Sequence, residues 1–303
     1  EGTHKFGNFA AGSAITDGDF VWAFFGSQGL YCLNRDGNVV WETDLGDMRT
    51  RQGFGEGASP VLYRDRLIVP WDHEGESFIV ALNKETGEEI WRRERDEITS
   101  WSTPLVIEYG GKAQVVTNAT KRVRAYDVET GALIWESAGM TLNVIPTPVE
   151  AEGIVYVMSG FRGNALQAID LSKAEGDIAG TDAIVWKHGR DTPYTPSPLL
   201  HQDKLYFLKS NSNVLSVFDA KTGTQHHQMR LPGVSDVFSS PVTVAGADRL
   251  YVTGREGTTV VLDAGPEPRI IATNSLNDGF DASMVIVGDD IYLRGRHLYR
   301  IAQ

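Results

Sequence analysis

The chain alternates. From Phe20 onward, short runs with apolar residues at every second position are cut by polar turns rich in Gly and Asp. That period predicts half-buried antiparallel strands. One kind of run reads FVWAFF, RLIVPW, AQVVTN, IVYVMS, KLYFLK, RLYVTG and DIYLRG, each just after a polar turn such as TDGD, YRDR or HQDK. A second kind follows after a short loop: LYCLN, FIVAL, VRAYD, LQAID, LSVFD, TVVLD and LYRIA. No stretch carries a sustained helical period.

The runs sit inside a repeat. A hydroxyl residue followed by Pro recurs at Ser59-Pro60, Thr103-Pro104, Thr147-Pro148, Ser197-Pro198 and Ser240-Pro241, with weaker copies at Ser13 and Ser283. Successive hydroxyls are 46, 44, 44, 50, 43 and 43 residues apart. A period in the mid-forties predicts four-stranded propeller blades. The third strand leads through a second turn to a fourth strand in NRDGNVVW, NKETGEEIW, DVETGALIW and DAKTGTQHH. Gly37, Gly87, Gly131 and Gly223 each stand four residues before Trp41, Trp91, Trp135 and His227. A glycine suits the left-handed position of a bulged hairpin, and the preceding Asp or Asn can bond the turn's own N–H groups. The indoles, with Trp186 after an insertion at 173–182, are expected to wedge between blades. The pattern predicts an all-β fold: a β-propeller of four-stranded antiparallel blades, seven repeats in this chain, as one domain over 1–303. The seventh repeat stops after its third strand, so an N-terminal blade or closing strand is expected upstream of Glu1.

Composition narrows the function classes. The 303 residues carry a formal net charge of −12, which disfavours nonspecific nucleic-acid binding. No apolar run is long enough for a membrane-spanning helix. The lone Cys32 lies in an alternating strand and reads as a small buried apolar residue.

AYDVETGALIW, Ala125 to Trp135, matches the repeat A-x-D-x-x-T-G-x-x-x-W at every fixed position, and ALNKETGEEIW departs from it only at Asn83. On these residues the chain resembles the PQQ-like, or quinoprotein-like, repeat β-propellers, which include quinoprotein alcohol dehydrogenases and the outer-membrane barrel-assembly lipoprotein. The resemblance covers the whole chain. It implies a bacterial, periplasmic or otherwise extracytoplasmic protein whose parent can have eight blades.

Function is sought in the loops. Bases lie between second and third strands: Lys121, Arg122, Arg162, Lys209, Arg255, Arg294 and Arg296; Arg49 and Arg51 lie ahead of a first strand. The other turns are acid-rich. One reading gathers these bases around one mouth to dock an anionic ligand or acidic protein segment; the other pairs each base with a local acid. Aromatics ahead of the first strands (Phe54, Trp101, Tyr194, Phe238, Phe280), with Glu56, Asn143, Asp236 and Asp281, form either a small-molecule site or a plug. Asp72, His73 and Glu74 read as a solvated turn, with no metal expected there even with His4 nearby. His226-His227 read as packing substitutes for the Trp, and Asn118 heads a formal glycosylation sequon.

Three functions compete. The first is a noncatalytic scaffold that docks a protein or anionic polymer on its basic loop face, without cofactor. The second, implied by the resemblance, is a PQQ- and Ca-dependent alcohol or sugar dehydrogenase. By type, Trp101 would carry the quinone, Glu56 and Asn143 the ion, and Asp281 the base's role; the family's adjacent-cysteine disulfide is impossible with one cysteine. The third is an enzyme acting on an acidic saccharide at the basic mouth.

Overall fold

In a computed structural model, described for residues 4, 7, 10–244 and 246–302, the fold is an all-β seven-bladed propeller. Seven sheets follow one another along the chain, each built on consecutive antiparallel strands, and the third gains one parallel strand from later in the sequence. Two single-turn 3-10 segments, Gly26–Gln28 and Arg51–Gly53, are the helical elements among the described residues.

The chain divides into two compact units, residues 1–148 with 170–184 and residues 149–169 with 185–303. The first unit holds three blades. Blade 1 is Ile15–Thr16, Phe20–Phe24, Leu30–Asn34 and Val39–Thr43; blade 2 is Val61–Tyr63, Arg66–Trp71, Ser77–Asn83 and Glu89–Arg95. Blade 3 is Leu105–Tyr109, Lys112–Thr117, Arg122–Asp127 and Leu133–Ala138. A fifth, parallel strand, Gly176–Asp177 from the insertion, pairs with its outer edge at Trp135 and Glu136. The second unit holds blade 5 (Leu199–His201, Lys204–Leu208, Val214–Asp219, Gln225–Arg230) and blade 6 (Val242–Thr243, Arg249–Thr253, Thr258–Asp263, Ile270–Ser275). Blade 7 has three strands, Val285–Val287, Asp290–Arg294 and Leu298–Ile301. Blade 4 is Val149–Ala151, Ile154–Ser159, Ala165–Asp170 and Ile184–His188.

The repeated phrases have the local geometry that their residues require. Gly37, Gly87, Gly131 and Gly223 have φ of +81°, +75°, +67° and +70°, a region that costs other residues roughly 1–2 kcal/mol. The fourth strand bulges beside each turn, with Val40, Ile90, Ile134 and His226 as the extra residues opposite the steps Cys32–Leu33, Ala81–Leu82, Ala125–Tyr126 and Val217–Phe218. The strand-ending carboxamides and carboxylates hold the turns: Asn83 Oδ1 accepts from the N–H groups of Glu85 and Thr86, and Asp127 and Asp219 accept from Thr130 and Thr222. His227 stands opposite Val217 as Trp135 stands opposite Ala125, so it does occupy the tryptophan register.

Within each unit, blade packs on blade through apolar clusters. Trp22, Leu30 and Cys32 of blade 1 meet Leu67, Val69 and Val80 of blade 2. Tyr206, Leu215 and Val217 of blade 5 meet Leu250, Val260 and Leu262 of blade 6. The Cys32 thiol is fully buried, and burial pushes its pKa up, which fits an inert packing residue.

Three of the four tryptophans of the repeat bond across these seams, and Trp135 does not. Trp41 Nε1 donates to Lys84 O at 3.0 Å, Trp91 Nε1 to Val128 O at 2.8 Å and Trp186 Nε1 to Ala220 O at 2.9 Å, each acceptor lying in the next blade's turn. The turn glycines lie flat under these rings. A Cβ at Gly87 would stand 2.7 Å from Trp41, one at Gly131 2.6 Å from Trp91 and one at Gly223 2.6 Å from Trp186. Trp135 instead donates to Gln114 Oε1 inside its own blade, at 2.9 Å, because the insertion's short strand covers its outer side. Second-strand aromatics use the same acceptors: Trp22 Nε1 donates to Lys84 O and Tyr156 Oη to Ala220 O.

The hydroxyls that set the repeat also bond to one another. Ser13 N donates to Ser59 Oγ and Ser59 N to Thr103 Oγ1 in the first unit; Ser197 N donates to Ser240 Oγ and Ser240 N to Ser283 Oγ in the second. Blades 1, 2, 5 and 6 thus each hand one main-chain donor to the side chain of the following blade.

Candidate functional site

In the first unit the segment 50–57 and the approach to blade 3 meet. Phe54 and Trp101 pack edge to face with centroids 6.0 Å apart. Trp101 donates its indole N–H to Gly55 O at 2.8 Å and its backbone N–H to Val144 O at 2.7 Å. The ring of His4 lies against Phe54, centroids 4.3 Å apart, so His4 packs there. Gly57 lets the indole close in, since a Cβ on it would stand 3.0 Å from Trp101 Cδ1. Glu56 and Asn143 are both buried. Glu56 Oε1 accepts from Ser27 Oγ at 2.7 Å, whereas Glu56 Oε2 and Asn143 Oδ1 have no hydrogen-bond partner among the described residues. Arg51 is fixed through its main chain, its N–H donating to Thr99 Oγ1 at 2.9 Å. Beside Trp101 lies a cavity of about 10 Å3 lined by Thr50, Glu56, Thr99 and Ser100 among others.

Asp72 and His73 correct the expectation of a solvated turn: both are buried. Arg95 of the fourth strand grips Asp72 with two bonds, at 2.7 and 3.0 Å, and turns its remaining nitrogen to Thr117 Oγ1 and Tyr126 Oη in blade 3. His73 accepts from Arg49 N through Nδ1 at 3.0 Å, and its Nε2 lies 3.1 Å from Glu76 O. Glu97 accepts from the main-chain N–H groups of Lys121 and Arg122 and from Arg124; burial pushes its pKa up against the pull of Arg95. This network ties blade 2 to blade 3. Asn118 is buried as well and donates to Pro146 O, so its sequon is not presented at the surface.

In the second unit the loops of blades 4 and 5 build a stack. Phe161 and Tyr194 lie nearly parallel with centroids 4.7 Å apart, and Arg162, at φ +52°, covers Phe161 at 5.5 Å. Thr192 Oγ1 donates to Ser159 O at 2.6 Å, and Thr195 N donates to Asn211 Oδ1 at 2.9 Å, which fixes the loop carrying Tyr194. Lys209 is paired with Asp191 at 2.9 Å. Arg255 is held by Asp281 and, at 3.1 Å, by Asp236, and it covers Phe238 at 4.1 Å. Phe280 is buried edge-on to Tyr299.

The expected site residues therefore fall into three groups. Phe54, Glu56 and Trp101 meet in the first unit, with Arg51 and Asn143 in adjoining segments. Arg255, Phe280 and Asp281 meet in the second, and there Arg162 and Tyr194 form a third group on Phe161. Lys209 and Arg255 follow the local-pairing reading, while Arg51 and Arg162 hold no ion pair among the described residues, which keeps the docking reading open at those two positions.

A family model described as outer membrane protein assembly factor BamB matches residues 4–141 and 75–302. The chain belongs to that family. The BamB of Francisella salina is 28% identical over 100 residues, which is 33% of this chain and 18% of that protein. Subunit 1 of the cytochrome c-linked methanol dehydrogenase of Methylobacterium organophilum is 33% identical over 90 residues, 27% of this chain and 13% of that protein. The matched stretches thus span less than a fifth of either relative's length. Among solved structures, BamB from Moraxella catarrhalis superposes with a TM-score of 0.70 at 18% identity, covering 94% of this chain and 82% of that one. Quinohemoprotein alcohol dehydrogenase from Comamonas testosteroni gives 0.61 at 9% identity, covering 94% and 70%. At these identities the likeness is one of fold. No helix among the described residues is long and apolar enough to cross a membrane.

The quinoprotein relatives raise the question of PQQ and calcium. The space beside Trp101 is about 10 Å3, which suits a single water and not a tricyclic quinone. The indole is packed on Gly57 and Phe54 and its N–H is engaged. In this arrangement the residues around Trp101 do not fit the cofactor.

Proposed function

We propose that this chain is a noncatalytic binding scaffold of the periplasm, one propeller domain that docks a protein partner through its basic loops. The observation that carries this reading is the filled surrounding of Trp101: the aromatics that a cofactor enzyme would keep open are spent on packing. The name borne by the matching family, an outer membrane protein assembly factor, supports a role in holding other proteins. Arg51 in the first unit and Arg162 in the second, each with no ion pair among the described residues, are bases at which an acidic segment would dock on that unit. The test is capture of proteins from a periplasmic extract of the source bacterium, compared with the Arg51→Glu/Arg162→Glu double variant. Specific capture that drops about tenfold or more in the variant, with unchanged melting behaviour, is the expected result. Equal capture by both proteins overturns the basic-loop reading.

A second reading, a PQQ- and Ca-dependent dehydrogenase, draws on Glu56 Oε2 and Asn143 Oδ1, buried oxygens that an ion would satisfy. Dye reduction with alcohols or sugars after incubation with PQQ and Ca2+ would establish it over the scaffold. The third reading, an enzyme on acidic saccharides, gains nothing beyond the bases themselves.

A further inference from the structure

The loops beside Trp101 contain a buried carboxylate whose hydrogen bonding is incomplete. Glu56 is nine-tenths buried. One of its oxygens accepts from Ser27, whose hydroxyl in turn accepts from Met48 N at 2.8 Å. The other, Oε2, meets no donor among the described residues. Leaving a buried carboxylate oxygen unbonded is costly, more so than for a neutral acceptor. The side chain is packed on Gly26, where a Cβ would come within 2.4 Å of Glu56 Cγ.

Glu56 lines the cavity of about 10 Å3, together with Thr50, Asp72, Thr99 and Ser100. Most of these polar groups are committed. Asp72 is held by Arg95, Thr50 Oγ1 accepts from Gly55 N, and Thr99 Oγ1 donates to Glu74 Oε1 at 2.8 Å. Ser100 is the exception, its hydroxyl making only a long contact of 3.4 Å to Ile98 O. A water needs roughly 10–15 Å3 and two to four polar partners. The cavity offers that volume, an acceptor in Glu56 Oε2 and a hydroxyl in Ser100. A metal ion would ask for more oxygen ligands than the free groups supply, and no group of three His, Cys, Asp or Glu able to hold one occurs among the described residues.

We propose that this cavity is a binding site for one ordered internal water, which donates a hydrogen to Glu56 Oε2 and joins the blade 2 approach to the Ser100 hydroxyl ahead of blade 3. The site is independent of partner docking.

A crystal structure of the chain at high resolution tests it, together with oxygen-17 relaxation counts of long-lived internal waters in the wild type, Glu56→Gln and Glu56→Met. Expected are one density peak at about 2.6–3.0 Å from Oε2, retention of that water in Glu56→Gln, and one fewer long-lived water in Glu56→Met. If Glu56→Met fails to fold, the wild-type density and the Gln variant decide. A Tb3+ titration read by emission sensitised through Trp101 adds the opposing outcome. Saturable emission abolished by Glu56→Gln would assign a cation site and overturn the water. A peak-free cavity, or one filled by a protein side chain, overturns it equally.

Discussion

The seam between blades 2 and 3 and the seam between blades 5 and 6 join sheets of the same topology by different means. At the first, Trp91 lies over Gly131 and donates to Val128 O, and Arg93 adds bonds to Thr130 O and Gly131 O, at 2.7 and 2.9 Å. At the second, the tryptophan register holds the half-buried His227, and the blade 6 turn reads DAGPEPRI, where nothing lies within 4 Å of a Cβ on Gly265. There Tyr206 of the second strand reaches Gly265 O at 3.1 Å, above a wholly aliphatic cluster of Leu215, Val217, Val252, Val260 and Leu262. The outer indole is therefore one way of closing a seam, and an inner phenol over aliphatic packing is another.

Substitutions can break this contrast. The largest effect belongs to Trp91→Ala, expected to cost about 3–5 kcal/mol through lost burial and a cavity, whereas His227→Ala should cost less than about 1 kcal/mol. Urea midpoints at constant slope measure both, and equal losses would refute the contrast. Next comes Gly131→Ala, where a left-handed φ and the overlying indole act together. It should cost about 1–3 kcal/mol more than Gly37→Ala, because the Cβ of the latter would meet nothing within 4 Å. In a Trp91→Ala background that excess should disappear, which a double-mutant cycle reads directly.

Tyr206→Phe should cost about 0.5–1.5 kcal/mol by removing the donor to Gly265 O. Tyr156→Phe should cost less, because Ala220 O keeps Trp186 as a donor. Matching losses in thermal melts would show that the doubled donors are not redundant. The smallest effect is a pH dependence at the seam of blades 1 and 2. Lys84 donates to Asp17 at 2.7 Å and, with the N–H of Phe20, holds the Asp17 pKa down to about 2. The folded state lowers this pKa, so the stabilisation is complete above the ordinary carboxylate value and is lost as pH falls towards 2. Asp17→Asn should flatten the stability profile over that interval, and an unchanged slope would remove the ion pair from the seam.

The sequence made the seams visible where identity repeats and hid them where it does not. Trp41, Trp91 and Trp186 stood out because the same indole follows the same turn. Trp22, Tyr156 and Tyr206 serve related carbonyls from the second strand, yet in an alternating strand they look like any large apolar residue. Trp135 misled for a local reason: the insertion supplies Gly176–Asp177 as an added strand, so its indole bonds inward to Gln114. The polar run at Asp72 and His73 looked solvated because its partner Arg95 lies 23 residues away. In the candidate site, the meeting of Phe54 with Trp101 follows from the blade register, which the repeat does reveal. The pairing of Lys209 with Asp191 and of Arg255 with Asp236 and Asp281 depends on loop conformation, which no period encodes.

The acceptors under the indoles belong to the main chain of Lys84, Val128 and Ala220, a cation, a branched aliphatic and a methyl. A carbonyl is present whatever the side chain, so the bond that joins one sheet to the next does not itself select a side chain at these positions; burial selects Val128 and Ala220, and the pair with Asp17 selects Lys84. The constraint falls instead on the glycine and the ring, and it is there that a change of one residue would be felt by two blades at once.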